Sequence, residues 1–226
     1  SHLDAQLCVT KTDESNRPAD FATVFRAHAD AGGSMNFARF MALALYHPTI
    51  GYYRRTQPRI GHGPGTDFFT ASTSGPLFGE IVTAACVTLL GDRSPAEFTF
   101  VEIGAESPLG VLTGVAHPFA AARTIAVGEE VGLSGRCIVF SNELFDAQPF
   151  RRFVFRRGGW REIHVTLVDA QLKELEMPAT PPVGTPVSSL EGYVIDAPLE
   201  AAGLAERISR EPWTGLFVGC DYGKSW

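Results

Sequence analysis

Three short runs rich in β-branched and aromatic residues do most to limit what this chain can fold into. They are 97–103 (EFTFVEI), 123–127 (RTIAV) and 136–141 (RCIVFS). Each reads as a strand. A helical stretch at 198–209 and a further apolar run at 215–221 (GLFVGCD) follow. Strands that alternate with helices build a mainly parallel sheet, so the expected class is α/β. Between the third and fourth runs, 151–156 (RRFVFR) and 160–168 (WREIHVTLV) flank Gly158-Gly159 and predict a hairpin. The Pro- and Thr-rich stretch 176–188 reads as a loop.

The N-terminal part has a different period. Residues 1–19 are polar and are expected to fray. Phe21, Val24, Phe25 and His28 recur at helical spacing until Gly32-Gly33. Ser34 is placed to cap a second helix, whose stripe holds Phe37, Phe40, Met41, Leu43 and Ala44 and which Pro48 ends. Residues 50–75 combine Gly, Pro, Ser and Thr with Tyr52, Tyr53, Phe68 and Phe69. A long loop with that composition suits a binding surface better than a linker. Pro76 can open a third helix, 77–91. The division expected is a free N-terminus (1–19), a helical extension with its Gly-rich loop (20–95), and a Rossmann-like domain with a hairpin insertion near 151–168 (96–226).

Composition narrows the partners. A net charge of −6 argues against nucleic acid and suits a cationic partner or plain solubility. Cys8, Cys86, Cys137 and Cys220 are scattered, without a CxxC pair or a histidine at ligand spacing. The expectation is reduced, mostly buried thiols and no metal. No apolar run reaches the roughly 18 residues of a membrane span.

Polar groups gather where strands end. In FVEIGAESPLG (100–110) a strand closes on Glu102 and Gly104, where a helix is expected to begin. That turn must be tight if backbone is to approach a nucleotide, and Glu102 or Glu106 can accept hydrogen bonds from a ribose or an amine. An ordinary strand-to-helix loop explains the same residues. In VFSNELFDAQPF (139–150) a strand runs into Asn142, Glu143 and Asp146. Paired carboxylates can hold a guanidinium or take up a proton; alternatively Asn142 and Asp146 cap a helix. In GTDFFTAS (65–72), Asp67, Phe68 and Thr70 can hold an amine and stack on a base, or the phenylalanines simply anchor the loop. GCDYG (219–223) is either a fourth strand-end site or a turn. His47 reads better as a helix-end residue than as a catalyst. The Arg run 151, 152, 156, 157 and 161 reads better as a solvated hairpin edge than as an anion site.

Taken in order, FMALALYHPTIGYY, GTDFFTAS, SGPLFGEI, FVEIGAESPLG, SNELFDAQPF and DYG resemble the MidA family of class I S-adenosylmethionine-dependent methyltransferases. That family includes a mitochondrial complex I assembly factor that methylates a protein arginine. The resemblance spans most of 35–223 and is thin over 165–215. It implies a Rossmann-like methyltransferase sheet behind a helical extension, with further strands beyond Gly223, so the sheet is expected to be incomplete on its C-terminal side. It implies S-adenosylmethionine as cofactor, held by Asp67, Phe68, Thr70, Glu102, Gly104 and Asn142. Glu143 and Asp146 are the implied catalytic pair, acting on a protein substrate. The acid that grips the ribose has its nearest counterparts in Glu129 and Glu130. Bacterial cytoplasm or mitochondrial matrix, and a homodimer through an open sheet edge, complete the expectation.

The turn EIGAESPLG holds fewer glycines than the family's E-x-G-x-G-x-G. This motivates a second reading, a degenerate relative that binds partners in complex assembly. A third is a nucleotide-binding α/β protein unrelated to methylation.

Overall fold

The computed structural model describes residues 20–54, 76–105 and 110–222. Two sheets organise them.

The first sheet is parallel throughout. It consists of β2 (Thr99–Ala105), β3 (Ala121–Ala126), β4 (Gly135–Asn142) and β9 (Trp213–Cys220), in the order β3-β2-β4-β9. Its central strands read as continuous apolar runs because both faces are covered. On one face lies α3 (Pro76–Leu90), whose Val82, Cys86 and Leu90 pack on Phe100, Ile138 and Phe140. On the other lies α4 (Leu199–Arg210), whose Leu204 and Ile208 pack on Val101, Ile103 and Val139. Gly79 lets α3 close in: a Cβ there would stand 2.3 Å from the carbonyl oxygen of Val111. The loop after β2 is thereby pinned against α3.

The second sheet is antiparallel. Strand β6 (Gly159–Val168) is its axis. Strands β1 (Ser34–Asn36) and β5 (Arg151–Arg156) share one edge of β6, β7 (Gln171–Pro178) pairs along the other, and β8 (Val194–Ala197) lies outside β5. Helices α1 (Phe21–His28) and α2 (Phe37–Tyr46) bury Val24, Phe25 and Leu43 against Met35 and Val165. Phe153, Phe155 and Trp160 form the opposite cluster with Ile195 and Ala197. Helix α1 starts because the Asp20 carboxylate accepts from the Thr23 N–H at 2.7 Å.

Several sequence expectations need correction. Asn36, not Ser34, caps α2, accepting from the Arg39 N–H at 2.9 Å. Ser34 instead opens β1, opposite Thr166, and its hydroxyl reaches Asp30. The stretch expected to be a loop from 176 is strand as far as Pro178. No helix follows β2 within 110–120; the chain makes turns and enters β3 directly. No helix follows β4 either, so Asn142 and Asp146 cap no helix and Glu143 and Asp146 do not sit on a helical turn. Cys86 and Cys137 are buried free thiols, and burial, with Cys220 nearby, pushes the Cys86 thiol up to about 11.

Candidate functional site

The C-terminal ends of β2, β3, β4 and β9 lie side by side, because parallel pairing carries all four strands the same way. In open α/β sheets this edge is where ligands bind. A cavity of about 570 Å³ opens there. Ile103 and Gly104 at the end of β2 and residues 126–131 after β3 form one side. Leu204, Arg207 and Arg210 of α4 form another, and Tyr46 and Gln148 close the third.

Gly104 meets two demands at once. Its φ is +78°, and a Cβ would stand 2.6 Å from Cδ1 of Leu144. The ladder to β3 also shifts register between Ile103 and Ala105. The chain therefore bulges at the cavity, where the positive φ favours glycine and a Cβ would have to displace the Leu144 side chain.

Glu102 faces the loop that follows. Its Oε2 accepts from the Val111 N–H at 2.6 Å, fixing the return of the chain toward β3. Glu129 does the same on β3, accepting from the Ala126 N–H at 2.8 Å while its residue lines the cavity.

The loop after β4 carries the carboxylates. Glu143 has φ +50°, and its N–H donates to the Cys220 carbonyl at 2.8 Å. A non-glycine residue in that conformation is held there by its surroundings. Asp221, just past β9, accepts from the N–H groups of Phe145 (3.2 Å) and Asp146 (3.3 Å). Partial burial raises the Asp146 carboxyl above the ordinary aspartate value. The charge and hydrogen bond of Asp221, and then the charge of Glu143, push it the same way. The site thus concentrates three carboxylates on one rim, and their crowding helps Asp146 keep a proton.

Tyr46 joins this loop to the N-terminal helices. Its hydroxyl donates to the Ala147 carbonyl at 2.8 Å, and its ring stacks on Tyr53 with centroids 5.3 Å apart. Burial raises its phenol strongly, so it remains a donor. Gln148 donates from Nε2 to the Leu144 carbonyl at 2.9 Å and tightens the same turn.

The structure brings part of the expected set together. Gly104 lines the cavity, with Glu129 and Glu130. Glu102, Asn142, Glu143 and Asp146 stand on the same sheet edge but do not line it. Asp67, Phe68 and Thr70 lie outside the described residues, as do 106–109 and the expected free N-terminus. Asp221, noted as one of two readings of a strand end, is a backbone anchor for the β4 loop. Tyr46 and Gln148 lie within FMALALYHPTIGYY and SNELFDAQPF, but no local pattern marks either as a site residue. Among the described residues no group of His, Cys, Asp and Glu could hold a metal ion, and no helix is long and apolar enough to cross a membrane.

A mixed α/β chain with a parallel sheet and a cleft at the strand ends is the architecture of nucleotide-type cofactor proteins, and comparison with known proteins narrows it. Residues 122–225, a little under half of the chain, match the family described as "Putative S-adenosyl-L-methionine-dependent methyltransferase". The chain is similar in fold to a candidate methyl transferase from Burkholderia thailandensis bound to S-adenosyl-homocysteine. The TM-score is 0.68 at 22% identity, covering 87% of this chain and 61% of that one. An uncharacterized protein of the same superfamily and organism gives a TM-score of 0.63 at 22% identity, with coverage of 87% and 59%. The chain thus spans about three fifths of the length of these structures. No curated protein matches it. The donor expected from the sequence is the one named for the matched family, and the Burkholderia neighbour holds that donor's demethylated product.

Proposed function

We propose that this chain is a methyltransferase of the MidA type, which moves a methyl group from S-adenosylmethionine to a nitrogen of a protein side chain, arginine being the acceptor the site suits best. One observation carries the reading: the cavity runs from the Gly104 bulge to Gln148 and Pro149, which belong to the same loop as Glu143 and Asp146. The residues fit the donor. About 570 Å³ falls within the range of small-molecule sites. Ile103, Val127, Val131 and Leu204 offer apolar wall for a purine, and Glu129 offers a carboxylate for a ribose.

In this reading Gly104 and residues 126–131 hold the donor, and Glu102 keeps the β2 loop in place behind it. Bound there, S-adenosylmethionine supplies an electrophilic methyl on a sulfonium with a good leaving group. The protein's own task is then positioning and electrostatics. Glu143 and Asp146 orient a cationic acceptor, and Asp146, with its raised carboxyl, accepts the proton the nitrogen loses. Asp221 and Tyr46 set the loop that carries both. The same reading places the chain in bacterial cytoplasm or mitochondrial matrix, with a role in assembly of a respiratory complex as its finest extension.

Calorimetric titration with S-adenosylmethionine and S-adenosyl-homocysteine tests the donor site. The expected Kd is micromolar, about −8 kcal/mol. Glu143→Gln is expected to leave that binding intact and to slow transfer about a hundredfold or more; unchanged transfer would remove Glu143 from the mechanism. A second reading, a relative that binds partners without methylating, draws on the turns that stand between Gly110 and Ala121 where a helix was expected. Absence of donor binding by the folded chain favours it, and turnover on any acceptor eliminates it.

A further inference from the structure

We propose that the cleft between α1 and α2 binds a small organic carboxylate through Arg39 and the imidazoles of His28 and His47. The cleft encloses about 290 Å³ and lies apart from the cavity at the strand ends, with Tyr46 as the shared wall. Met35 and Leu43, both buried, line its base. His28, Arg39 and His47 supply its polar groups, and no carboxylate lines it.

Arg39 differs from the arginines of the antiparallel sheet and shares with Arg93 and Arg123 a side-chain bond to a backbone carbonyl. Arg151, Arg152, Arg156, Arg161 and Arg210 all pair with carboxylates. Arg39 enters no ion pair among the described residues, and its guanidinium donates to the His28 carbonyl at 2.6 Å. The remaining N–H groups of a planar fork suit a carboxylate in two-pronged fashion.

The imidazoles are fixed by their neighbours. His28 Nδ1 lies 2.9 Å from the Val24 carbonyl, which can only accept, so the proton is on Nδ1. His47 Nδ1 accepts from the Thr49 N–H at 3.4 Å, which places its proton on Nε2 as a further donor. The rings meet edge to face at 5.3 Å. Cationic and donor groups over an apolar base select a ligand with one negative end and a compact apolar body. The volume limits that body to about one ring or one branched chain. The inference does not depend on methyl transfer.

The test is an amide NMR titration of the full chain, without donor, using benzoate and its uncharged analogue benzamide. Saturable benzoate shifts confined to the α1 and α2 residues around the cleft are expected, with benzamide at least about tenfold weaker, since a hydrogen bond to a charged group contributes on that scale. Arg39→Met is expected to weaken benzoate by a similar factor, and Arg39→Lys by less. Equal affinity for benzoate and benzamide overturns the proposal, as does the absence of saturable shifts at the cleft. The comparison of the two ligands needs no variant, so a misfolded Arg39→Met would leave it decided. Donor binding measured separately on the same sample keeps this outcome distinct from that of the methyltransferase reading.

Discussion

The two sheets are held together by different means. In the parallel sheet, Cys137 through Ser141 of β4 are all buried, and no charge enters that row. In the antiparallel sheet, charge runs through the strands. Arg151 grips Glu162 with bonds of 2.7 and 2.6 Å, Arg152 pairs with Asp196, and Arg156 with Glu176. Glu162 is only 4% exposed. The parallel sheet takes its strength from packing on both faces and keeps its polar groups for the rim. The antiparallel sheet uses its polar groups on its own register: Arg151, Arg152, Arg156 and Arg161 of the arginine run, expected as a solvated hairpin edge, are engaged by carboxylates.

The sharpest way to break this contrast is to cut into the parallel core. Phe140 stacks on Phe100 at 5.7 Å and is fully buried. Phe140→Ala is expected to cost about 3–5 kcal/mol in denaturant unfolding. A cost below about 1 kcal/mol would mean that the core is less close-packed than the contacts imply.

Gly104→Ala tests the rim of the same sheet. The left-handed dihedral and the contact with Leu144 together are expected to cost about 2–4 kcal/mol. Titration should show donor affinity falling with it. A variant that kept both stability and affinity would show that the bulge is not the floor of a donor site.

In the antiparallel sheet, Arg151→Met leaves Glu162 buried without its partner. About 2 kcal/mol is expected, below the range for fully buried pairs because Arg151 is partly exposed. Adding Glu162→Leu should return most of it, which thermal unfolding of the double variant will read. No recovery would place the effect in packing rather than charge.

The smallest effect concerns Asp146. Its carboxyl is raised in the folded chain, so the folded state binds the proton more tightly than the unfolded state. Stability contributed by this group is therefore fully present below its unfolded value and is lost as pH rises through the folded value. Asp146→Asn should stabilise the chain at neutral pH by under about 1 kcal/mol, since solvent screens a partly exposed carboxylate. The gain should fade at acid pH. A loss at neutral pH would contradict the repulsion from Asp221 and Glu143.

How much could be read beforehand divides along the same line. The buried strand β4 announced itself as the apolar run 136–141, and 215–221 overlaps β9, whose residues are half-buried or exposed. The hairpin was legible because two runs rich in aromatic and β-branched residues, 151–156 and 160–168, flank the glycines that mark its turn. Strand β7 was not: QLKELEMP carries one Lys and two Glu, every residue is exposed, and backbone pairing and the ion pairs of Glu176 hold it in place of a core. Strand β1 was hidden because Ser34 suits a helix cap as well as a three-residue bridge. At the site, Gly104 could be singled out because a tight turn after a strand needs glycine. Tyr46 could not, since its role depends on a hydrogen bond to Ala147, about a hundred residues away, which no local pattern records.

The full exposure of β7 bears on how the molecule breathes. A strand secured by one ladder and by the exposed ion pairs of Glu176, with no buried side chain, can detach at little cost to the rest. Its amides should exchange with deuterium through a local opening far cheaper than global unfolding, while those of β4 wait for the whole chain to unfold. The hairpin arm would then be the first point at which a protease gains hold, and clipping there should leave the strand-end cavity able to bind.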